Sequence, residues 1–275
     1  MGKQKNKASL TTVTFVNVAL IMLIFSLTTL NVEAFVMEGS ILEESTMNVA
    51  ITEDVNVVPV SSKTPEQPIE QSIVLVDQTN PYLLVRSAAA STFKRFADEQ
   101  AAIRINPNVL KDIVREELMP YVNYKYSAFK VIGKHLKKTT DEERRAFVPV
   151  FKEYLISSYA QVFTLYDNQA VEFAPERPFV GKRIVAVNTR IIMPGSENID
   201  VAFKVRLNKK TKKWQAFDMV AEGVSLLDSK QAELGSIIRQ KGLPYVTKLL
   251  KNKSMRNIVF NGSNTRSSVE AVNPK

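Results

Sequence analysis

Few side chains in this sequence have the type and setting for bond-making chemistry. There is one histidine, His135, and no cysteine. A histidine-based metal site or a Ser-His-Asp triad would therefore rest on that single imidazole, and thiolate metal sites and disulfides are excluded. His135 sits among Lys134, Lys137 and Lys138, which predicts an exposed ring without a catalytic role. Among the carboxylates, only Asp218 and Glu222 are considered for an enzyme reading. A carboxylate in an apolar cavity can act as a general base with a raised pKa. The ordinary alternative, and the one preferred here, is that Asp218 caps a turn or pairs with a cation. No phosphate-binding loop or nucleophile motif stands out.

What the sequence has in quantity is apolar and aromatic surface at regular spacing. Thr140-Asp141-Glu142-Glu143 is a capping box, with Thr140 able to bond the Glu143 amide and Glu143 able to reach back. The helix it opens is predicted to run to about Tyr166. Phe147, Val150, Phe151, Tyr154, Leu155, Tyr159, Val162, Phe163 and Tyr166 form an aromatic-rich stripe along it. Pro149 is expected to kink or divide that helix.

Before it, Asn80-Pro81 and Asn106-Pro107 are cap-plus-proline helix starts. Pro120 should end the second helix, and a short helix from Tyr121 should stop at Gly133. After it the period changes to two. Val185, Val187, Thr189, Ile191 and Met193 alternate with polar residues, as do Ile199, Val201, Phe203, Val205 and Leu207, and Trp214–Ala221 makes a third strand. A helix near Ser229–Gln240, a cap at Gly242 and a further helix over Pro244–Leu250 close the domain. The fold class expected is α+β: helices packed on a curved antiparallel sheet. From pattern alone, the stripes read as a filled core.

The ends differ from this body. Lys3, Lys5 and Lys7 precede an apolar run from Val18 to Leu27, followed by Val32-Glu33-Ala34. These are the three parts of a secretory signal peptide cut after Ala34. An uncleaved anchor over Val13–Leu30 is the competing reading, and either one places the body outside the cytoplasm. Residues 35–76 are acidic and proline-bearing and read as a disordered linker. The domain is expected over 77–252, with a loose tail over 253–275. Residues 1–76 hold four lysines and eight carboxylates, leaving 33 basic and 20 acidic of the chain's 37 and 28 for the rest. So basic a body suits an anionic partner, and export would remove nucleic acid from the candidates. Lys209, Lys210, Lys212 and Lys213 crowd one turn and are expected to meet acidic docking faces or lipid headgroups.

Three blocks are more specific: Asp77-Gln78-Thr79-Asn80-Pro81-Tyr82, Glu117-Leu118-Met119-Pro120-Tyr121-Val122, and Trp214-Gln215-Ala216-Phe217-Asp218-Met219-Val220-Ala221-Glu222-Gly223-Val224-Ser225-Leu226. From about Asp77 to Leu250 the sequence resembles the MlaC, or toluene-tolerance, family of periplasmic phospholipid-binding proteins. The resemblance implies an NTF2-like cone enlarged by helices, with an apolar cavity and no enzymatic activity or cofactor. A phospholipid would be its cargo. It also implies shuttling across the periplasm between an outer-membrane MlaA–porin complex and an inner-membrane ABC transporter with MCE-domain subunits, in support of outer-membrane lipid asymmetry. With the resemblance, a cavity replaces the filled core as the expected interior. Its candidate walls, by type and periodicity, are Val114, Leu118, Tyr121, Phe147, Phe151, Tyr154, Tyr159, Phe163, Val187, Ile191, Phe203, Val205, Phe217 and Met219. Other readings are an NTF2-like cavity enzyme using Asp218, or a membrane-tethered scaffold without lipid. Two features depart from the family pattern: the segment Phe35–Val76, and Ser229-Lys230-Gln231 where many relatives carry an aromatic-Arg pair.

Overall fold

The computed structural model describes residues 76–260; the expected signal peptide, nearly all of the expected linker and residues 261–275 lie outside them. Helix α1 (Pro81–Asp98) starts where the sequence marks it. Pro81 needs no amide partner in the first turn, and Asn80 Oδ1 accepts from the Tyr82 and Leu83 amides at 2.8 and 3.3 Å. Helix α2 (Gln100–Ile105) follows. The second proline signature works differently from expectation. Asn106 Oδ1 accepts from the Asn108 amide, so Pro107 lies in a turn and α3 begins one residue beyond Asn108, at Val109. After α3 (Val109–Ile113) the backbone widens to π geometry over Val114–Leu118, then tightens to a 3-10 turn at Met119–Tyr121. Pro120 has no N–H to continue the ladder, so the ladder changes geometry at its exit.

Helix α4 (Tyr124–Ile132) leads into a 3-10 segment, Gly133–Lys138. Helix α5 (Asp141–Phe163) opens on the full capping box. Pro149 does not divide it. The expected break costs about 3 kcal/mol, but Phe147, Phe151, Tyr154, Leu155 and Ile156 are all buried on this one helix. At about 1.5–3 kcal/mol for each large side chain, burial outweighs one missing hydrogen bond.

The sheet has five antiparallel strands in chain order: β1 (Val171–Phe173), β2 (Ile184–Ile191), β3 (Ile199–Leu207), β4 (Trp214–Ala221) and β5 (Val224–Ser225). Three strands were expected; β1 and β5 are three and two residues long, too short to show a period. Helix α6 (Leu226–Ser254) is broken at Gly242, whose φ of 80° and ψ of 167° lie outside helical space. The two expected closing helices are therefore real and abut at that residue. The tail expected to loosen at residue 253 stays packed through residue 260. Lys253 and Ile258 are buried. The Ile258 amide donates to Asn108 Oδ1 at 3.1 Å, and Gln161 Nε2 donates to the Val259 carbonyl at 2.7 Å.

Two apolar clusters result. The larger joins α1, α3, α4, α5 and α6. The smaller lies between one sheet face and the start of α1, with Tyr82, Leu84 and Val85 against Val185, Val187, Val205 and Trp214.

Candidate functional site

The sheet face turned to α1 carries three rows across β2, β3 and β4. In one, Val185 pairs with Val205, which pairs with Ala216. In the next, Val187 pairs with Phe203 and Phe203 with Met219. In the third, Thr189 pairs with Val201 and Val201 with Ala221. A tightly filled core would bury the middle row most deeply. Val187 in that row is buried, but Phe203 and Met219 are only half-buried; of the flanking rows Val185, Val205, Thr189, Val201 and Ala221 are buried and Ala216 is half-buried. Phe203 packs against the edge of the smaller cluster and keeps some accessible surface there.

A second observation comes from α5. Tyr159 keeps accessible surface, yet its hydroxyl is pushed up to about 12, first by burial, then by the negative charge of Asp218 and by Tyr154. Desolvation disfavours the phenolate, and the ring packs against the larger cluster. Phe163, one helical turn further on, is half-buried as well. It abuts a knot of rings: Phe96–Phe163 at 4.8 Å and Phe93–Tyr166 stacked at 4.7 Å.

The predicted walls therefore separate. Leu118, Tyr121, Tyr159, Phe163, Ile191, Phe203 and Met219 are half-buried. Val114, Phe147, Phe151, Tyr154, Val187, Val205 and Phe217 are buried in the two clusters. Phe147, Phe151 and Tyr154 stack in sequence with centroids 5.5 and 6.3 Å apart. They are packing between helices, and they hold the helical layer in place. Phe93, Val122 and Tyr166 are half-buried and packed beside these clusters but are absent from the predicted set. The signal for the first was present, since Phe93 and Phe96 are spaced to share a helix face.

The β3–β4 ladder shifts register between Lys204 and Val205, so Lys204 pairs with Asp218, Val205 with Ala216, and Phe217 is the extra residue. The bulge turns Phe217 toward α4. Its ring meets Tyr126 edge-on at 5.2 Å, and its carbonyl accepts from Ser127 Oγ at 2.7 Å. It also sets Asp218 under the start of α6. There the carboxylate accepts from Lys204 Nζ at 2.9 Å, Ser225 Oγ at 2.8 Å and the Leu227 amide at 3.0 Å, with its side chain 2% exposed. An anion at a helix N-terminus with three donors is a structural cap. Glu222 likewise accepts from the Asp200 amide.

His135 is not exposed as expected: it is 9% exposed. It lies against α6 beside a groove of about 430 Å³, lined also by Lys134, Asp228, Gln231, Ala232, Gly235, Ser236 and Arg239. The ring packs on α6 at Gly235, with Nε2 3.9 Å from where a Cβ would stand, an ordinary contact distance. The flanking lysines point the sequence toward solvent, but packing against α6, distant in sequence, covers the ring.

Among the described residues no helix is long and apolar enough to cross a membrane. What fold and site define together is an α+β module in which helices pack on an open antiparallel sheet through two apolar clusters, each edged by half-buried apolar side chains. Residues 86–252 match the family model of the MlaC protein. The chain belongs to that family. It is 32% identical over 187 residues to the intermembrane phospholipid transport system binding protein MlaC of Haemophilus influenzae, a match covering 68% of this chain and 87% of the relative. The structure of a phospholipid-binding protein from Ralstonia solanacearum, solved in complex with a phospholipid, has the same fold. Its TM-score is 0.55 at 19% identity, over 62% of this chain and 94% of that one.

Proposed function

We propose that this protein is a periplasmic phospholipid carrier and catalyses no reaction. Acyl chains would lie between the helical layer and the sheet, against Leu118, Tyr121, Tyr159, Phe163, Ile191, Phe203 and Met219. The observation that carries this reading is the half-buried pair Phe203 and Met219 at the centre of a sheet face whose other positions, Ala216 apart, are buried. The relatives support it, since one is the binding protein of an intermembrane phospholipid transport system and the other was solved with a phospholipid bound.

The energetics suit a carrier. Two acyl chains hold roughly 30 methylenes, each worth ~0.8 kcal/mol out of water, for a gross term on the order of 20 kcal/mol. Release into water is therefore very slow. A bilayer offers the lipid the same gain, so exchange between bilayer and interior is close to neutral and needs no chemistry in this chain. In this reading the chain is exported with a signal peptide cut after Ala34. It takes lipid from an outer-membrane MlaA–porin complex and delivers it to an inner-membrane ABC transporter with MCE-domain subunits, which maintains outer-membrane lipid asymmetry. The triply bonded Asp218 gives no support to an acid–base enzyme.

The test is Phe203→Glu. A buried carboxylate in a filled core costs several kcal/mol and unfolds a marginal domain. Beside internal space the carboxylate can keep water. The expected result is a folded variant by circular dichroism that carries no phospholipid in native mass spectrometry, beside a loaded wild type. Wild type that is lipid-free after gentle purification and takes none from vesicles would falsify the carrier reading.

A further inference from the structure

One end of the sheet has a surface that the carrier reading leaves unused. The Leu207 amide donates to the Arg183 carbonyl, and Ile184 pairs with Arg206. The loop entering β2 and the turn between β3 and β4 therefore lie side by side. The Trp214 amide donates to the Gln78 carbonyl, which brings the chain just before α1 to the same end. Three rings hold these pieces together: Phe179 lies 6.2 Å from Tyr82 and 6.1 Å from Trp214.

On this platform the next residue, Val180, stands 93% exposed at the loop tip, followed by Gly181 at φ 79°. Ile184 beyond it is 50% exposed. Around them are Arg177, Lys182, Arg183, Lys209, Lys210, Lys212 and Lys213, all exposed and none in a salt bridge. Among the described residues of these segments the carboxylates are Asp77 and Glu176, and each already accepts a side-chain hydrogen bond, from Thr79 and Asn80 respectively. Lys212 also holds a φ of 57°, a left-handed conformation that glycine or asparagine adopts at less cost. Four lysines in one short turn repel each other as well. Charge is kept here against local backbone preference.

We infer that this end of the sheet is a membrane-docking face that seats on an anionic bilayer, with the Val180 loop entering the headgroup region and the seven cations binding lipid phosphates. The chemistry selects a bilayer over an acidic protein face. A protruding aliphatic tip flanked by loosely spaced cations fits a deformable layer with apolar material just below its charge. A rigid acidic surface would leave Val180 in water. The inference goes beyond the carrier reading and concerns an outer face, so vesicle binding and lipid content report on the two separately.

The experiment is sedimentation of the purified protein with vesicles rich in phosphatidylglycerol, against vesicles of phosphatidylcholine alone. Binding is expected to the first and not the second, and to fall away as salt approaches ~1 M, where screening shortens to ~3 Å. Replacing Lys209, Lys210 and Lys213 together by Ser should weaken binding by roughly a hundredfold, about fivefold per lysine. Val180→Asp should weaken it by about tenfold or more, with Val180→Ser as the milder companion. Because all four positions are exposed, circular dichroism and melting should match wild type. The inference is overturned by wild type that ignores phosphatidylglycerol vesicles, or by a lysine variant that binds like wild type. A lysine variant that fails while Val180→Asp binds normally overturns it too, since that pattern belongs to an acidic protein partner.

Discussion

Lys253 lies buried near the end of α6, with Lys230, Glu233 and Arg256 as its charged neighbours. Burial pushes its ammonium down to about 8. Glu233 opposes that shift, and Lys230 and Arg256 add to it. The unfolded chain keeps an ordinary lysine near 10.5. Between about pH 8 and 10.5 the unfolded state therefore binds a proton that the folded state has released, and this group's contribution to stability rises with pH. Below pH 8 both states are protonated and the folded state carries a constant penalty. Denaturation of wild type and Lys253→Met at pH 7 and pH 10 isolates the effect. Wild type should gain on the variant by at most about 1.4 kcal/mol per pH unit inside that window. A difference that stays constant across the window would mean Lys253 titrates normally.

At the scale of elements, local signals and tertiary signals parted company. Asn80, the Thr140 capping box and the alternation of Val185–Ile191 and Ile199–Leu207 were legible, because each is a short-range pattern with its own hydrogen bonds or faces. The bulge at Phe217 was not. Trp214–Ala221 reads as one strand, and only pairing with β3 shows that Phe217 has no partner and turns toward Ser127 and Tyr126. Pro149 does not divide α5, since burial along the helix holds it as one element and no local pattern reveals how much. Gly242 offers a clean test of an element boundary. Its φ of 80° with ψ of 167° belongs to a region that only glycine occupies cheaply. A Cβ there would meet nothing closer than Pro244 Cδ at 3.6 Å, so the cost of Gly242→Ala is backbone strain alone. Denaturant midpoints should show a loss of about 1–3 kcal/mol. A neutral substitution would mean the two halves of α6 can rejoin as one helix.

For the whole molecule, residue type reached the interior without describing it. Fourteen apolar positions were chosen by periodicity, and periodicity says which face turns inward. It does not say whether another side chain meets it there. Phe151 and Phe203 look alike in sequence; one is fully buried among helices and the other is half-buried at the sheet centre. The difference lies in spacing between layers, which is set by long-range packing. The basic body was legible as a charge balance, but its concentration around Val180 required knowing that three chain segments converge at one end of the sheet.

Room for acyl chains between the layers, as the carrier reading requires, would also give the empty folded molecule excess volume. Unfolding eliminates such voids, so the system shrinks and hydrostatic pressure drives it toward the unfolded chain. A protein with acyl chains in its interior has less volume to lose. The empty form should therefore unfold at lower pressure than the loaded form, even where their thermal melts are close. Trp214, the chain's single tryptophan and 2% exposed, reports the transition directly by fluorescence in a pressure cell. Coincident midpoints for the two forms would show an interior equally dense with and without lipid.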